Sequence, residues 1–149
     1  MHRSSHGERK EDVEAHLRQA GTHAPQTLGI ALATRSWKDF VATRPEAFAG
    51  MDRRERLLRA VMQSRQAHDA RLRINSQRQA GIRRVVADAV GELPEPAFTE
   101  LCALVHLLGS APAWAALKDY WGIEGADAGH LVARAIATLA AAAKKRGSR

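Results

Sequence analysis

The sequence predicts an all-α protein, a helical bundle organised around its last two long helices. Three observations predict this class. Ala, Leu and Arg dominate the composition, runs of β-branched residues are rare, and only 5% of the residues are aromatic. Apolar residues recur mostly at helical spacing. The chain has 149 residues, which is enough for one domain with a buried core and too few for two ordinary ones.

Two apolar helices near the C-terminus are predicted over residues 94–109 and 126–144. Apolar side chains nearly encircle both. The second has one narrow polar stripe, which consists of Asp127, His130, Arg134 and Thr138. A helix that is apolar nearly all round has to be covered on more than one face. Either a second copy of the chain covers the pair through a two-fold interface, or the pair is a buried hairpin within one monomer.

The chain divides into two parts by polarity. Residues 1–25 are predicted to be a polar tail with a short helix, and residues 26–146 the helical domain, which starts with an amphipathic helix over residues 26–43. His2 and His6 stand four apart, a spacing that binds metal on a helix, but no helical pattern surrounds them. We therefore predict no metal site and no cofactor.

Proline, glycine and small polar residues predict the breaks between the helices. Pro45 ends the preceding helix, because the residue before a proline avoids the helical region, and it opens a short helix that Gly50 closes. Asp52 is the predicted N-cap of the next helix. Either a break near residues 64–69 separates that helix from a long one ending near Gly91, or the two are continuous.

A short helix is predicted between the two apolar ones. Ser110 is its N-cap and Gly122 stops it. Trp114 and Trp121 are seven residues apart and share one face, which is predicted to pack inward.

The basic charge is concentrated in one part of the chain. The formal net charge is +7, and ten arginines between residues 53 and 84 face only Glu55 and Asp69 as acids. Clustered arginines neutralise phosphates, which makes nucleic acid a candidate partner. Alternatively, these are solvated helix faces whose arginine stems cover apolar surface. The arginines are spread around the helix without interleaved aromatics, which favours this alternative.

No catalytic pattern stands out. The sequence has no glycine-rich phosphate loop, nucleophile elbow or HExxH pattern. Cys102 and His106 stand four apart in an apolar helix, but no third metal ligand follows at a fixed spacing, which favours a place in the core. We therefore predict that the chain is not an enzyme.

The compartment is predicted from what the sequence does not contain. Cys102 is the single cysteine, which fits a reducing environment. No apolar stretch is long enough to span a bilayer, and the start has no apolar signal region. These features predict a cytoplasmic protein without a membrane partner.

The segment from Leu104 to Ala140 resembles the C-terminal end of TetR-family transcriptional regulators. The pattern is an apolar helix, a Ser-Ala-x-x-Trp-x-x-Leu-x-Asp-x-x-Gly turn and an Ala-rich helix. The residues that carry it are Ser110, Ala111, Trp114, Leu117, Asp119, Gly122, Gly125, Ala128, Ala135, Ile136 and Leu139. Residues 42–51 resemble the connection between two middle helices of that family, and the whole resemblance spans about residues 27–143.

The resemblance implies an all-helical ligand-binding and dimerisation domain of a regulator such as a repressor. It implies a homodimer whose last two long helices pair with their copies as a four-helix bundle. It also implies a pocket for a small apolar effector, lined by Trp37, Phe40, Met62, Leu104 and His106. The implied dimer interface contains Leu101, Val105, Leu108, Trp114, His130, Ala133, Ala137 and Ala140.

The chain departs from the family at its N-terminal end. The family begins with a three-helix DNA-binding head that contains a helix-turn-helix, and the residues before Thr27 are too few and too polar for it. DNA is therefore an expected partner only if a head domain is present elsewhere. Two other functions stay open: a headless interaction protein that hetero-dimerises with a full-length regulator, and an arginine-rich nucleic-acid binder.

Overall fold

The computed structural model describes residues 36–148, and this part of the chain contains helices and no strand, which confirms the all-α prediction. The helices are Trp37–Ala42 (α1), Arg44–Arg53 (α2), Glu55–Gln63 (α3), Arg65–Arg73 (α4), Asn75–Val90 (α5), Ala97–Leu108 (α6), Ala111–Trp121 (α7) and Gly125–Gly147 (α8). The predicted tail, His2, His6 and the start of the helix predicted over residues 26–43 lie outside the described residues.

Serine N-caps start α1, α4 and α7. The hydroxyl oxygens of Ser36, Ser64 and Ser110 each accept a hydrogen bond from the backbone N–H three residues further on, at 3.1, 3.2 and 3.4 Å. Each bond satisfies one N–H group that has no partner within the helix. The predicted cap at Ser110 and the break at Ser64 are confirmed. The helix predicted to run through Ser36 is wrong there, because the backbone of Ser36 is extended.

The predicted boundaries at Gly50 and Asp52 are wrong. α2 begins at Arg44, so the break before Pro45 is confirmed, but the helix continues past both residues. Asp52 does not cap the helix that follows it, because it lies inside α2 and its carboxylate accepts hydrogen bonds from side chains of α7. A break at Ile74 divides the predicted long helix into α4 and α5.

Glycines with positive φ end α5 and α7. Gly91 has a φ of 66° and Gly122 a φ of 64°. Gly122 is in the left-handed helical region, where a Cβ destabilises the backbone by roughly 1–2 kcal/mol. Gly91 has a ψ of −135°, and residues with a Cβ rarely adopt this backbone conformation. Both predicted helix ends are confirmed.

α8 is the central helix of the bundle. It packs most extensively against α2 and also contacts α1, α5, α6 and α7. Its buried residues are Ala128, Gly129, Val132, Ile136 and Ala140. The predicted polar stripe of Asp127, His130, Arg134 and Thr138 lies on its exposed side. Helices of the same chain therefore cover the buried face of α8.

The backbones of α2 and α8 lie close together at Gly129. A Cβ built there would lie 2.4 Å from the Arg44 carbonyl oxygen and 2.4 Å from the Pro45 Cα. Arg44 is buried beside this contact. Its Nε donates to the Phe40 carbonyl at 3.0 Å, and its guanidinium lies 4.1 Å from the centre of the Phe40 ring. Burial lowers the pKa of Arg44.

No single helix within residues 36–148 is both long and apolar enough to cross a bilayer. Only α6 and α7 taken together reach that length and composition, and they are bent by 57° at their junction. The cytoplasmic location stays a prediction.

Candidate functional site

A groove of about 500 Å³ lies between α4 and α5 on one side and α6 and α7 on the other. The side formed by α4 and α5 is mainly basic and polar: His68, Arg71, Arg78, Gln79 and Arg83, with Ile82 as its apolar member. The other side is mainly small or apolar: Thr99, Cys102, Ala103, His106, Leu107, Ser110, Ala111 and Pro112. No carboxylate of residues 36–148 lines this groove. We call it the basic groove.

Arg71 and Arg78 are the two arginines of the basic groove whose charge is not balanced. Both are partly buried, and neither forms a salt bridge with a carboxylate of residues 36–148. Burial lowers the pKa of Arg78, and the nearby positive charge of Arg71 lowers it further. Two guanidinium groups that repel each other without a carboxylate favour an anion from outside.

Arg83, by contrast, is held by its own neighbours. Its Nη2 donates to Thr99 Oγ1 at 2.6 Å, and its Nη1 lies 3.3 Å from Glu95 Oε1. The guanidinium also lies 5.3 Å from the centre of the Phe98 ring. Hydrogen bonds from Thr99 and Arg83 lower the pKa of Glu95. Arg83 therefore joins α5 to α6 at the edge of the basic groove.

Cys102 and His106 both line the basic groove. Burial raises the pKa of the Cys102 thiol, which keeps it protonated. Burial lowers the pKa of His106, and the charge of Arg78 adds to this effect. No group of three or more His, Cys, Asp or Glu side chains in the described part of the chain is placed to hold a metal ion. Cys102 and His106 therefore each offer a polar contact within the groove.

The structure does not bring the five predicted ligand-binding residues together. Only His106 lines the basic groove. Phe40 is buried in the core, and Trp37 and Met62 are half-buried against it. Leu104 lies on the surface of α6 with 44% of its area exposed.

The predicted dimer-interface residues differ widely in burial. Four are buried against their own chain: Leu101, Val105, Trp114 and Ala140. Leu108, Ala133 and Ala137 are half-buried, and His130 is exposed. The buried four already contact the core of a single chain, so in this arrangement they have no surface left for a partner.

Other apolar side chains of α6 and α7 are exposed. Leu104 and Leu107 lie on the outer side of α6, and Tyr120 and Trp121 lie at the end of α7. The prediction that Trp121 packs inward is wrong, because 76% of its area is exposed where α7 ends. The outer side of α6 therefore presents two exposed leucines.

A separate network of charged residues joins α2 and α3 to α7. Lys118 Nζ lies 3.0 Å from Asp52 Oδ1 and 2.9 Å from Glu55 Oε2. Arg59 donates to Glu55 at 2.9 Å and binds both carboxylate oxygens of Asp119, at 2.9 and 2.6 Å. These hydrogen bonds raise the pKa values of Lys118 and Arg59. Each charged group of this network has an oppositely charged partner within it. We therefore infer that the network stabilises the fold.

Acid should weaken the fold through this network. Hydrogen bonds from Lys118 and Arg59 lower the pKa of Glu55, and the bond from Arg59 lowers that of Asp119. The unfolded chain therefore binds more protons in acid than the folded chain. The stabilisation is present above the ordinary carboxyl pKa of about 4 and is lost as the pH falls further. Urea unfolding at pH 7 and at about pH 3.5 measures the loss.

The Lys118→Met variant tests the origin of this acid effect. It should be less stable at pH 7 and lose less stability in acid, because the carboxylates then have weaker partners. Lys144→Met, at an exposed lysine in the last turns of α8, is the matched control and should behave like the parent chain. An unchanged acid loss in Lys118→Met would contradict the assignment.

Comparison of this chain with protein-family models, with curated proteins and with solved structures finds no match. The described part of the chain is a helical bundle with a groove that is basic on one side and partly apolar on the other.

Proposed function

We propose that this chain is the ligand-binding and dimerisation domain of a transcriptional regulator similar to the TetR family. Its small-molecule effector binds in the basic groove. The groove carries the proposal: its volume is within the range of small-molecule sites, roughly 300–1,000 Å³, and it combines polar groups with apolar side chains. The functional class comes from the resemblance of residues 104–140 to the C-terminal end of TetR-family regulators.

The dimer part of the proposal uses the outer side of α6. Leu104 and Leu107 are three residues apart, so they share a helix face, and they are 44% and 57% exposed. Full burial of an exposed leucine contributes about 1.5–3 kcal/mol, and roughly half of that is still available at Leu104 and Leu107. In a two-fold dimer each such residue is buried twice, once in each copy. Hetero-dimerisation with a full-length regulator would use the same face.

The Leu104→Glu variant tests the dimer. We expect light scattering to give twice the single-chain mass of 16.3 kDa for the parent chain and a shift towards the monomer mass for the variant. A carboxylate buried at an apolar interface has no partner. Leu72→Glu, at a leucine of α4 that is 58% exposed, is the matched control and should leave the dimer intact. A monomeric parent chain at high concentration would remove dimerisation from the proposal.

Nucleic-acid binding is the second candidate, and one observation favours it. Between residues 53 and 84, six arginines outside the groove are exposed: Arg53, Arg54, Arg56, Arg65, Arg73 and Arg84. Exposed arginines bind phosphates with an affinity that falls steeply with salt. Titration of a labelled duplex at two salt concentrations tests this function. Binding that is strong at low salt and stays within a fewfold at high salt would contradict a phosphate-contact mechanism.

A further inference from the structure

The charge of the basic groove identifies the sign of its ligand. Arg71 and Arg78 are positively charged, and both line the groove together with the imidazoles of His68 and His106. Within residues 36–148 only Arg83 has a carboxylate partner in this set, namely Glu95. An anion that accepts hydrogen bonds from two guanidinium groups removes their repulsion and forms charge-assisted bonds.

The opposite side of the groove identifies the rest of the ligand. Ala103 and Leu107 of α6 and Ala111 and Pro112 of α7 contribute apolar surface, and Ile82 extends it on α5. A bare inorganic anion would leave this surface in water. A hydrocarbon body attached to the anion would cover it, and apolar burial is favourable in proportion to the area covered.

We infer that the basic groove binds an amphipathic anion, whose carboxylate or phosphate head lies between Arg71 and Arg78 and whose apolar body lies against α6 and α7. This inference rests on the proposed effector-binding function and names the chemical class of the effector. It adds a charged head to the small apolar effector that the family resemblance implied.

The two arginines lie on different helices, so a ligand bound by both would affect how these helices are held together. Arg71 lies on α4 and Arg78 on α5, on opposite sides of the helix break at Ile74. One head group bound by both arginines would hold the two helices together across that break. Leu107 contacts the groove and also lies on the exposed face of α6. An occupied groove therefore lies directly beside the face proposed for dimerisation.

Calorimetric titration of the full chain with decanoate, decyl phosphate and decanol tests the inference. The three probes share a ten-carbon body and differ in the head, so they separate charge from hydrophobicity. We expect at least one anion to bind about tenfold or more tightly than decanol. Inorganic phosphate should bind at least tenfold more weakly than decyl phosphate if the apolar side contributes. The preference between decanoate and decyl phosphate identifies the head group.

The Arg78→Gln and Arg71→Gln variants should each weaken binding of the anions about tenfold and leave decanol unchanged. Arg84→Gln is the matched control, because Arg84 is an exposed arginine on the same helix as Arg78 and does not line the groove. Circular dichroism confirms that each variant is folded. Equal losses in Arg84→Gln would show a diffuse charge effect and overturn the inference.

The other outcomes separate the inference from the proposed function. Decanol that binds as tightly as the anions, with no effect of Arg78→Gln, overturns the inference and leaves an apolar effector. Phosphate that binds as tightly as decyl phosphate overturns the role of the apolar side. The absence of binding by all four probes overturns the inference, and the mass of Leu104→Glu then decides separately whether the dimerisation part stands.

Discussion

Replacing Gly129 by alanine should destabilise the fold by about 3 kcal/mol, although it adds only one methyl group. The new Cβ would lie 2.4 Å from the Arg44 carbonyl oxygen and from the Pro45 Cα. These are backbone atoms at the start of α2, so no side-chain rotation relieves the overlap. The two helices would have to separate along the most extensive contact of the bundle. Urea unfolding followed by circular dichroism measures the effect as a lower midpoint.

Gly50→Ala in α2 is the matched control for this prediction. The nearest atom to a Cβ at Gly50 is Arg53 Nη2 at 3.5 Å, which belongs to a flexible side chain. Alanine should therefore stabilise the helix by up to about 1 kcal/mol through propensity alone. If Gly129→Ala is as stable as Gly50→Ala, α2 and α8 do not make the contact described.

The sequence predicts those parts of the fold that depend on local signals. α7 begins after Ser110 and ends before Gly122, as expected, because an N-cap hydroxyl and a left-handed glycine act within one helical turn. Asp52 fails as a predicted cap for the opposite reason. Its hydrogen-bond partner Trp114 is 62 residues away in sequence, and no local pattern contains that contact.

The candidate site is less predictable, because the residues of the groove come from four helices. Most of the predicted pocket residues are large apolar side chains, and one of them, Phe40, is buried in the core. The surplus of arginines between residues 53 and 84 was visible in the sequence. Which of them keep an unbalanced charge depends on distant pairs such as Arg59 with Asp119. The sequence therefore shows an excess of arginines in this segment, but it does not single out Arg71 and Arg78.

Replacing Trp114 by alanine should destabilise the fold by about 3–5 kcal/mol. Trp114 is fully buried, and its indole Nε1–H donates to Asp52 Oδ1 at 2.8 Å. Arg59 lies 5.3 Å and Lys118 5.8 Å from the centre of its ring, so the ring also supports the charged network. The alanine variant loses the packing, the hydrogen bond and these cation contacts together.

A less severe substitution separates the packing from the polar contribution. Trp114→Phe retains most of the apolar ring and removes the hydrogen-bond donor to Asp52, so it should cost clearly less than Trp114→Ala. A double-mutant cycle with Asp52→Ala should give a coupling of about 1 kcal/mol. Trp121→Ala is the matched control, because Trp121 is exposed at the end of the same helix and should change stability by less than about 0.5 kcal/mol.

The dependence of these losses on protein concentration distinguishes the two places considered for Trp114. In the core of one chain, the loss in Trp114→Ala is the same at every concentration, because the variant then associates as tightly as the parent chain. At a dimer interface, the loss grows as the protein is concentrated, because association contributes to the stability of the parent chain. The burial of Trp114 against its own chain predicts the first behaviour. A loss that rises with concentration would place Trp114 at the interface and contradict the contact with Asp52 as its main role.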